Sequence, residues 1–336
     1  MRGRLRSPAL IAGLVVAALT LVLPTFLNDA QLSIYIFIGL AAMVVAGLSL
    51  LMGFAGQVSL GQASFYAIGA YAAGILSRDG LPTLAGLAAA PVAAAAVAAM
   101  IGIPLLRLRG HYLAFATLAF QLIVLAAVGE AKSLTGGDIG LSGIPPLNIA
   151  GLELDTSTQY AYLTWVATAA VLLVASNVVH SRPGRALRAQ ATSEAAAAAC
   201  GVPVGAYKLR VFALSAGFAG LAGGIYGFFL GFIAPASFPV LLSIQFLVMA
   251  TVGGVGATWG SLVGATVITL LVQLLQFAGT RQGMPAYAPS VFSYGVYALV
   301  LVMVMLFLPQ GLLPALRQAG ERFMGRRKLV APESLL

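Results

Sequence analysis

The chain has 336 residues, of which 60% are apolar and 8% charged, and its mean hydropathy is +1.00. Soluble domains carry about 25% charged residues, so this composition excludes a soluble protein and indicates an integral membrane protein. The net charge of +9 raises the question of nucleic-acid binding. The positions of the basic residues point to membrane topology instead, and we expect no nucleic-acid partner.

Ten apolar runs follow one another along the chain, and each is close to the roughly 20 residues that cross a bilayer. They lie near residues 8–27, 32–52, 57–77, 83–106, 111–130, 159–179, 211–234, 240–257, 261–277 and 291–308. With the N-terminus in the cytoplasm, all Lys and Arg residues except Arg78, Lys132 and Arg281 fall on the inner side, as the positive-inside rule requires. We therefore predict an all-α polytopic membrane protein with about ten transmembrane helices, both termini cytoplasmic, and a single transmembrane domain over residues 1–336.

Two features of the runs affect this count. The run 240–257 is short and ends in the glycine-rich stretch Val252–Gly260. Residues 240–277 therefore form either two crossings or a re-entrant pair, which gives a range of eight to ten helices. The N-terminal MRGRLRS and the run after it resemble a secretory signal peptide. Because that run is too long and lacks a small-residue cleavage site, we predict an uncleaved first span.

The third run, Gly53–Gly74, is unusually polar for a membrane span. Its six polar side chains divide between two nearly opposite faces of a helix with about 100° per residue: Gln57, Ser64 and Tyr71 on one face, and Ser59, Gln62 and Tyr66 on the other. A helix that is polar on both sides cannot face lipid, so we expect it in the middle of the bundle. The break at Gly53–Gly56 also predicts a half-helix start whose free amides could meet a carboxylate.

Two interpretations of these neutral polar groups stay open. They either hydrogen-bond neighbouring helices or line a substrate path. Our candidates for the path are Gln57, Ser59, Gln62, Ser64 and Tyr66, together with Gln245 in the eighth run. Neutral hydrogen-bonding groups and small residues suit a neutral or zwitterionic solute with apolar parts better than a bare ion.

The longest outer loop covers residues 130–158 and contains LTGGDIGLSGIPPL, Leu134–Leu147. Its Gly and Pro content predicts turns instead of a helix. The loop is either a solvated connector or an ordered extracytoplasmic platform, and so turn-rich a loop with apolar residues is rarely unstructured.

The polar, basic stretch at residues 180–210 is predicted to lie in the cytoplasm. Pro183 suits the first turn of a helix, Gly201 suits its C-terminal cap, and Pro203 prevents continuation. The alanine-rich face Ala195–Ala199 has no lipid to bury in, so it needs a protein partner or another surface of the chain. We therefore predict a docking element.

The chain carries no chemistry of its own for energy or catalysis. The P-loop pattern GxxxxGK[ST] is absent, and the spans are nearly free of the charged residues that ion-coupled carriers use. His111 and His180 lie at predicted cytoplasmic edges without an HExxH or GxSxG motif. With Cys200 as the only cysteine, we expect no disulfide within the chain, no metal site, no cofactor and no catalytic residue.

Several segments resemble a known family. They are RLRGHYLAFATLAF (Arg107–Phe120), LTGGDIGLSGIP (Leu134–Pro145), YKLRVFALSAGFAGLAGGIYG (Tyr207–Gly227), GFAGQVSLGQASFYAIGAYAA and VGGVGATWGSLVGA. Together they resemble the permeases of branched-chain (LIV-type, hydrophobic) amino acid ABC transporters, and most closely the longer of the two permease subunits. The blocks follow the family order from about residue 40 to residue 315.

The resemblance implies a multi-pass protein of the bacterial inner membrane with several partners. These are a second homologous permease, two cytoplasmic ATPase subunits that bind ATP and Mg, and an extracytoplasmic substrate-binding protein. It also implies that residues 180–210 form the coupling loop to the ATPase, with Arg185, Arg188, Glu194, Ala195, Ala196 and Gly201 as the coupling residues. The family has an EAA-then-Gly signature there, and in this chain Gly201 lies one residue further on than usual.

Three functions are compatible with these observations. The first is translocation of branched-chain or hydrophobic amino acids as the permease subunit of an ATP-driven importer. The second is the same machinery with urea, short amides or other amino acids as substrate. The third is a stand-alone facilitative or ion-coupled carrier, which would move its substrate without an ATPase.

Overall fold

The computed structural model describes residues 23–279 apart from Arg109 and Ala150, together with Gly295 and Leu299. Most of the predicted first and tenth spans and both termini lie outside the described residues. Within them the chain forms eleven α-helices and four two-residue strands. The helices are α1 (Asp29–Ala55), α2 (Gln62–Arg78), α3 (Thr83–Leu105), α4 (His111–Glu130), α5 (Lys132–Thr135), α6 (Ser157–His180), α7 (Arg182–Thr192), α8 (Glu194–Ala199), α9 (Val204–Leu230), α10 (Val240–Gly253) and α11 (Gly260–Gly279).

The long apolar helices agree with the predicted membrane protein. In the described part of the chain, six segments are long and apolar enough to cross a bilayer: α1, α3, α4, α6, α9, and α10 with the turn before it. The helices α2 and α11 also correspond to predicted runs, with 17 and 20 residues. Each of the eight apolar runs between residues 32 and 277 therefore contains a helix.

The helices α1 and α9 form the centre of the bundle and are mostly buried, whereas most residues of α3 and α4 are not buried. The two central helices run antiparallel, since Phe37 contacts Tyr226 while Gly47 packs against Ser215. A Cβ added at Gly47 would lie 2.9 Å from the Cα of Ser215. Glycine is therefore needed here for the backbones to approach so closely, as in other membrane helix pairs.

Two parts of the described chain, residues 29–105 and residues 204–279, share one order of elements. Both α1 and α9 have 27 residues and end at a glycine in the left-handed conformation, Gly56 with φ 63° and Gly231 with φ 66°. Each is followed by a segment without α-helix, residues 56–61 and residues 231–239, then by a shorter α-helix and a further one. The halves exchange partners, because α1 packs against α10 and α11 while α9 packs against α2 and α3.

The loop at residues 130–158 is ordered, as the second interpretation of its sequence proposed; its side of the membrane stays a prediction. It contains α5, a short 3-10 helix (Gly137–Ile139) and the strands β1 (Leu141–Ser142), β2 (Asn148–Ile149) and β3 (Leu152–Glu153). The strand β2 pairs with β3, and β1 pairs with β4 (Phe232–Ile233), both antiparallel. The apolar side chains that anchor the loop in the core are Leu141, Ile144, Leu147 and Leu154.

The helices α10 and α11 form a hairpin joined by the glycine-rich turn at residues 254–259. This turn lies against the end of α1, where the amide of Gly256 donates to the Ser49 hydroxyl at 3.1 Å. A Cβ added at Gly53 would be 2.3 Å from the Cα of Gly256. The two glycine-rich breaks noted in the sequence therefore contact each other.

Candidate functional site

The structure corrects the prediction of one polar helix over residues 57–77. Gly56 ends α1, residues 57–61 are not helical, and α2 begins at Gln62. Gln57 and Ser59 therefore do not lie on a helix face, and the division into two opposite faces is wrong for them. All five candidate residues from Gln57 to Tyr66 are buried, in agreement with the expected central position.

Hydroxyl groups from neighbouring helices bond the backbone where α2 begins. The amide of Leu60 donates to the Thr117 hydroxyl at 2.9 Å, and the amide of Ala63 donates to the Ser243 hydroxyl at 2.9 Å. The expectation of free amides is therefore wrong for these two groups, because side chains of α4 and α10 already accept their hydrogen bonds. The start of α2 is a junction of helices and not an open anion site.

Further hydrogen bonds extend this junction to α9 and the 231–239 segment. The side-chain amide of Gln62 donates to the Ser215 hydroxyl at 3.1 Å, and the Ser243 hydroxyl donates to Gln121 at 2.6 Å. Gln121 in turn donates to the carbonyl oxygen of Pro239 at 3.2 Å. Of the path residues predicted from the sequence, Gln62 therefore connects α2 to α9 by a hydrogen bond. Ser64 bonds the carbonyl of Gly61 within its own turn.

A cavity of about 280 Å³ lies between α1, α2, α9, α10 and α11. It brings together two of the sequence candidates, Tyr66 and Gln245, which are 179 positions apart in the chain. Its other polar lining residues are Tyr226, Ser237 and Thr269. The apolar lining comes from Phe37, Leu40, Ala41, Leu242, Phe246 and Met249. The sequence analysis missed Tyr226, Ser237 and Thr269, although Thr269 is a neutral polar group in an apolar run and fits the criterion that selected Gln245.

The lining defines what the cavity can hold. Hydroxyl and amide groups can donate to or accept from a small polar headgroup, and the hydrocarbon and aromatic groups can cover an apolar tail. No formal charge lies among its described lining residues. The cavity therefore suits a small amphipathic solute, and it could not hold a bare ion without a large desolvation cost.

The segment at residues 180–210 differs from the single capped helix that the sequence predicted. It forms two helices, α7 and α8, separated by Ser193 in an extended conformation with φ −158°. Each helix has a serine cap, since Ser181 accepts from the amide of Gly184 and Ser193 accepts from that of Ala196. Both are good N-cap residues, and Ser193 thus begins a new helix inside the predicted one.

Gly201 has φ 80°, just after the end of α8, so the predicted left-handed cap is confirmed. Glu194 forms an ion pair with Lys208 in the first turns of α9, and so its carboxylate already has a partner within the chain. Arg188 donates to the carbonyl oxygen of Val179 at 3.2 Å, and both Arg185 and Arg188 are exposed. The side chains of Ala195, Ala196, Ala198 and Ala199 are exposed, and Ala197 is buried.

Comparison with known proteins places these features in a family. The sequence profile described as the permease component of branched-chain amino acid transport systems matches residues 30–307. The chain belongs to this permease family. It is 32% identical over 308 residues to the high-affinity branched-chain amino acid transport system permease protein LivM of Escherichia coli, covering 84% of this chain and 68% of the relative. It is 31% identical over 319 residues to LivM of Salmonella typhimurium, covering 88% and 71%.

The predicted family and function are therefore confirmed: the chain is a permease subunit of an ABC importer, a multi-pass protein of the inner membrane that works with other subunits. No solved structure matched the chain. The family match covers both the cavity and the cytoplasmic segment.

Proposed function

We propose that this permease moves branched-chain or other hydrophobic amino acids inward across the membrane in an ATP-driven importer. Its partners are a second related permease, two cytoplasmic ATPase subunits that bind ATP and Mg, and an extracytoplasmic binding protein that delivers the substrate. The observation that carries the proposal is the family match over residues 30–307, together with LivM relatives whose names specify branched-chain amino acid transport.

The cavity between the central helices is the proposed resting place of the substrate during translocation. Its hydroxyl and amide groups, Tyr66, Tyr226, Ser237, Gln245 and Thr269, suit the polar end of an amino acid. Its apolar side suits an aliphatic side chain, and a volume of about 280 Å³ is near the lower end of small-molecule sites. Of the path residues predicted from the sequence, Tyr66 and Gln245 keep this role.

The cytoplasmic segment is the proposed contact with the ATPase. The exposed alanines of α8 form a small-residue surface without a partner in the described part of the chain. The segment is joined to the bundle, because α7 packs against α1 and α6. Movement of α8 by an ATPase would therefore reach the helices that line the cavity. Glu194 directly precedes these alanines and is paired with Lys208, while Arg185 is exposed on α7.

The test is uptake by the reconstituted complex with labelled leucine, isoleucine, valine, urea and a short amide, with and without ATP. We expect uptake of the three amino acids only when ATP and the binding protein are present. Uptake of urea or the amide alone would favour the second substrate class. Uptake without any ATPase subunit would contradict the importer and favour a stand-alone carrier.

A further inference from the structure

The extracytoplasmic platform is hydrogen-bonded to the 231–239 segment, which contributes Ser237 to the cavity lining. Strand β1 belongs to the outer loop, and strand β4 is the first part of the 231–239 segment, which joins α9 to α10. The two strands pair with Leu141 opposite Ile233 and Ser142 opposite Phe232. A displacement of the platform must therefore act on the 231–239 segment.

The same segment carries Phe238, a large aromatic side chain with no exposed surface. Its ring lies 5.7 Å from that of Tyr66, 6.2 Å from that of Tyr71 and 5.8 Å from that of Tyr226. These distances and the interplanar angles near 60° are those of favourable aromatic pairs. Phe238 therefore holds three tyrosines of two helices together.

The positions of Tyr66 and Tyr71 along α2 show where this aromatic cluster lies relative to the cavity. Tyr66 lines the cavity, whereas Tyr71 is five positions further toward the outer end of α2, about 7 Å along the helix axis. The Tyr71 hydroxyl reaches the carbonyl of Ile233 in β4. The ring of Phe238 contacts both tyrosines, so it lies between the cavity and the strand pair.

We propose that Phe238 is the extracytoplasmic gate of this permease, and that the β1–β4 pairing connects the gate to the outer loop. When the loaded binding protein displaces the loop, the 231–239 segment moves with it and withdraws Phe238 from the tyrosines. The cavity then opens to the outside. This inference rests on the proposed path through the cavity, and it adds the residue that closes the path.

Hydrogen bonds add to the aromatic contacts in keeping the gate closed at rest. Phe238 is fixed from a second direction, because Gln121 donates to the carbonyl oxygens of Phe238 and Pro239 at 3.4 and 3.2 Å. Gln121 is itself held by Ser243. Opening must break the aromatic contacts of Phe238 and these neutral hydrogen bonds. Each hydrogen bond contributes little net free energy, so contacts made with a bound partner can replace it.

The gate can be tested by labelling from outside. Cys200 is the only cysteine in the chain, so Cys200→Ser gives a background without thiols. A new cysteine, Gln245→Cys, then lies in the cavity. In spheroplasts with the full complex and no binding protein, we expect slow reaction with a membrane-impermeant methanethiosulfonate. Adding Phe238→Ala should accelerate labelling by roughly tenfold or more, since three aromatic pairs no longer hold the closed state. Phe238→Leu should have an intermediate effect.

The matched control is Phe212→Ala, which removes an equally buried phenyl ring from the cytoplasmic half of α9. It should leave the labelling rate unchanged while causing a similar loss of core packing. If Phe238→Ala labels no faster than its parent, or if Phe212→Ala accelerates labelling equally, Phe238 is not a gate. ATP-dependent uptake by the unaltered complex is a separate measurement, so loss of the gate proposal leaves the importer function standing.

A second arm tests the connection to the platform. Substrate-loaded binding protein should accelerate labelling of Gln245→Cys when Phe238 is present. Ser142→Pro should remove most of this acceleration, because proline weakens the strand pairing, whereas Ser142→Ala should retain it. Equal acceleration in both variants would mean that the signal does not pass through β1 and β4.

Discussion

Lys208 shows how one charged residue ties the segment at residues 180–210 to the bundle. It is 9% exposed and is the only buried Lys, Arg, Asp or Glu among the described residues. A buried ammonium group requires a partner, and Glu194 supplies it from the first turn of α8. The pair is asymmetric, because the side chain of Glu194 remains 43% exposed and that of Lys208 only 11%.

This asymmetry predicts unequal effects of the two single substitutions. Glu194→Gln leaves a buried charge without its counter-ion, and we expect a loss of about 1–3 kcal/mol in the free energy of unfolding. Lys208→Met keeps the buried apolar stem and leaves a carboxylate that water can reach, so its loss should be well below that. Thermal unfolding of the purified complex measures both. Equal losses of unfolding free energy in Glu194→Gln and Lys208→Met would contradict this prediction. The double variant should lose about as much as Lys208→Met.

At the scale of elements, the cytoplasmic segment depends on where its helices end. The serine at position 193 divides it, and Gly201 reverses the chain with a positive φ before α9 begins. Open space surrounds Gly201, since a Cβ placed there would have no atom within 4 Å among the described residues. The requirement for glycine is therefore conformational and does not come from packing.

Replacing Gly201 by valine should uncouple ATP hydrolysis from uptake. A β-branched residue resists the left-handed conformation by about 1–2 kcal/mol, so α8 would turn away from its position under the bundle. Gly205→Val is the control, because Gly205 also has open space around it but lies inside α9 without a positive φ. The measurement is the number of substrate molecules taken up per ATP hydrolysed. An unchanged ratio in Gly201→Val would place the contact with the ATPase elsewhere.

The sequence predicted the type of most elements but not where two of them break. Hydropathy located a helix in every run from 32 to 277, because lipid requires helices wherever the chain crosses. The break at residues 56–61 depends on hydroxyls of Thr117 and Ser243, which lie far away in the sequence. Periodicity within one segment cannot reveal such partners. Ser193 is a good N-cap residue and could have been recognised locally. The run of alanines after it instead suggested one continuous helix.

The sequence also predicted only part of the candidate site correctly. Polar residues in apolar runs directed attention to Tyr66 and Gln245, and both line the cavity. Gln62 follows the same pattern but bonds Ser215 between helices. A polar residue in a span satisfies its hydrogen bonds wherever the packing offers them, so only the assembled bundle separates a path residue from a helix contact.

At the scale of the whole molecule, the repeated order of elements in the two halves accounts for the position of the cavity. Each half contributes a long central helix, a segment without α-helix and a shorter helix, and the halves exchange packing partners. The cavity lies where α1 and α2 of the first half meet α9, α10 and α11 of the second. Transport sites at the interface of two such units are common in membrane transporters, because a rocking motion of one unit opens either side in turn.

The predicted topology can be checked on the unaltered chain. Cys200 is exposed in the segment that is predicted to be cytoplasmic, and the chain has no second cysteine to compete with it. An impermeant thiol reagent should label it in inside-out vesicles and leave it unlabelled in right-side-out vesicles. Labelling of right-side-out vesicles would place residues 180–210 on the outer surface, and the proposed contact with the ATPase could not then exist. A cysteine introduced by Ser142→Cys, together with Cys200→Ser, should give the reverse pattern.

The neutral interior has an electrical consequence. In the described spanning helices, the Asp, Glu, Lys and Arg residues all lie within about two turns of an end, at Asp29, Arg78, Glu130, Lys208 and Arg210. A charge that crosses the bilayer does work of about 2.3 kcal/mol per 100 mV. Since the described helices carry no charge at depth, their rearrangement between outward and inward states displaces almost none. The turnover of a zwitterionic cargo should then be nearly independent of membrane voltage and should generate no current.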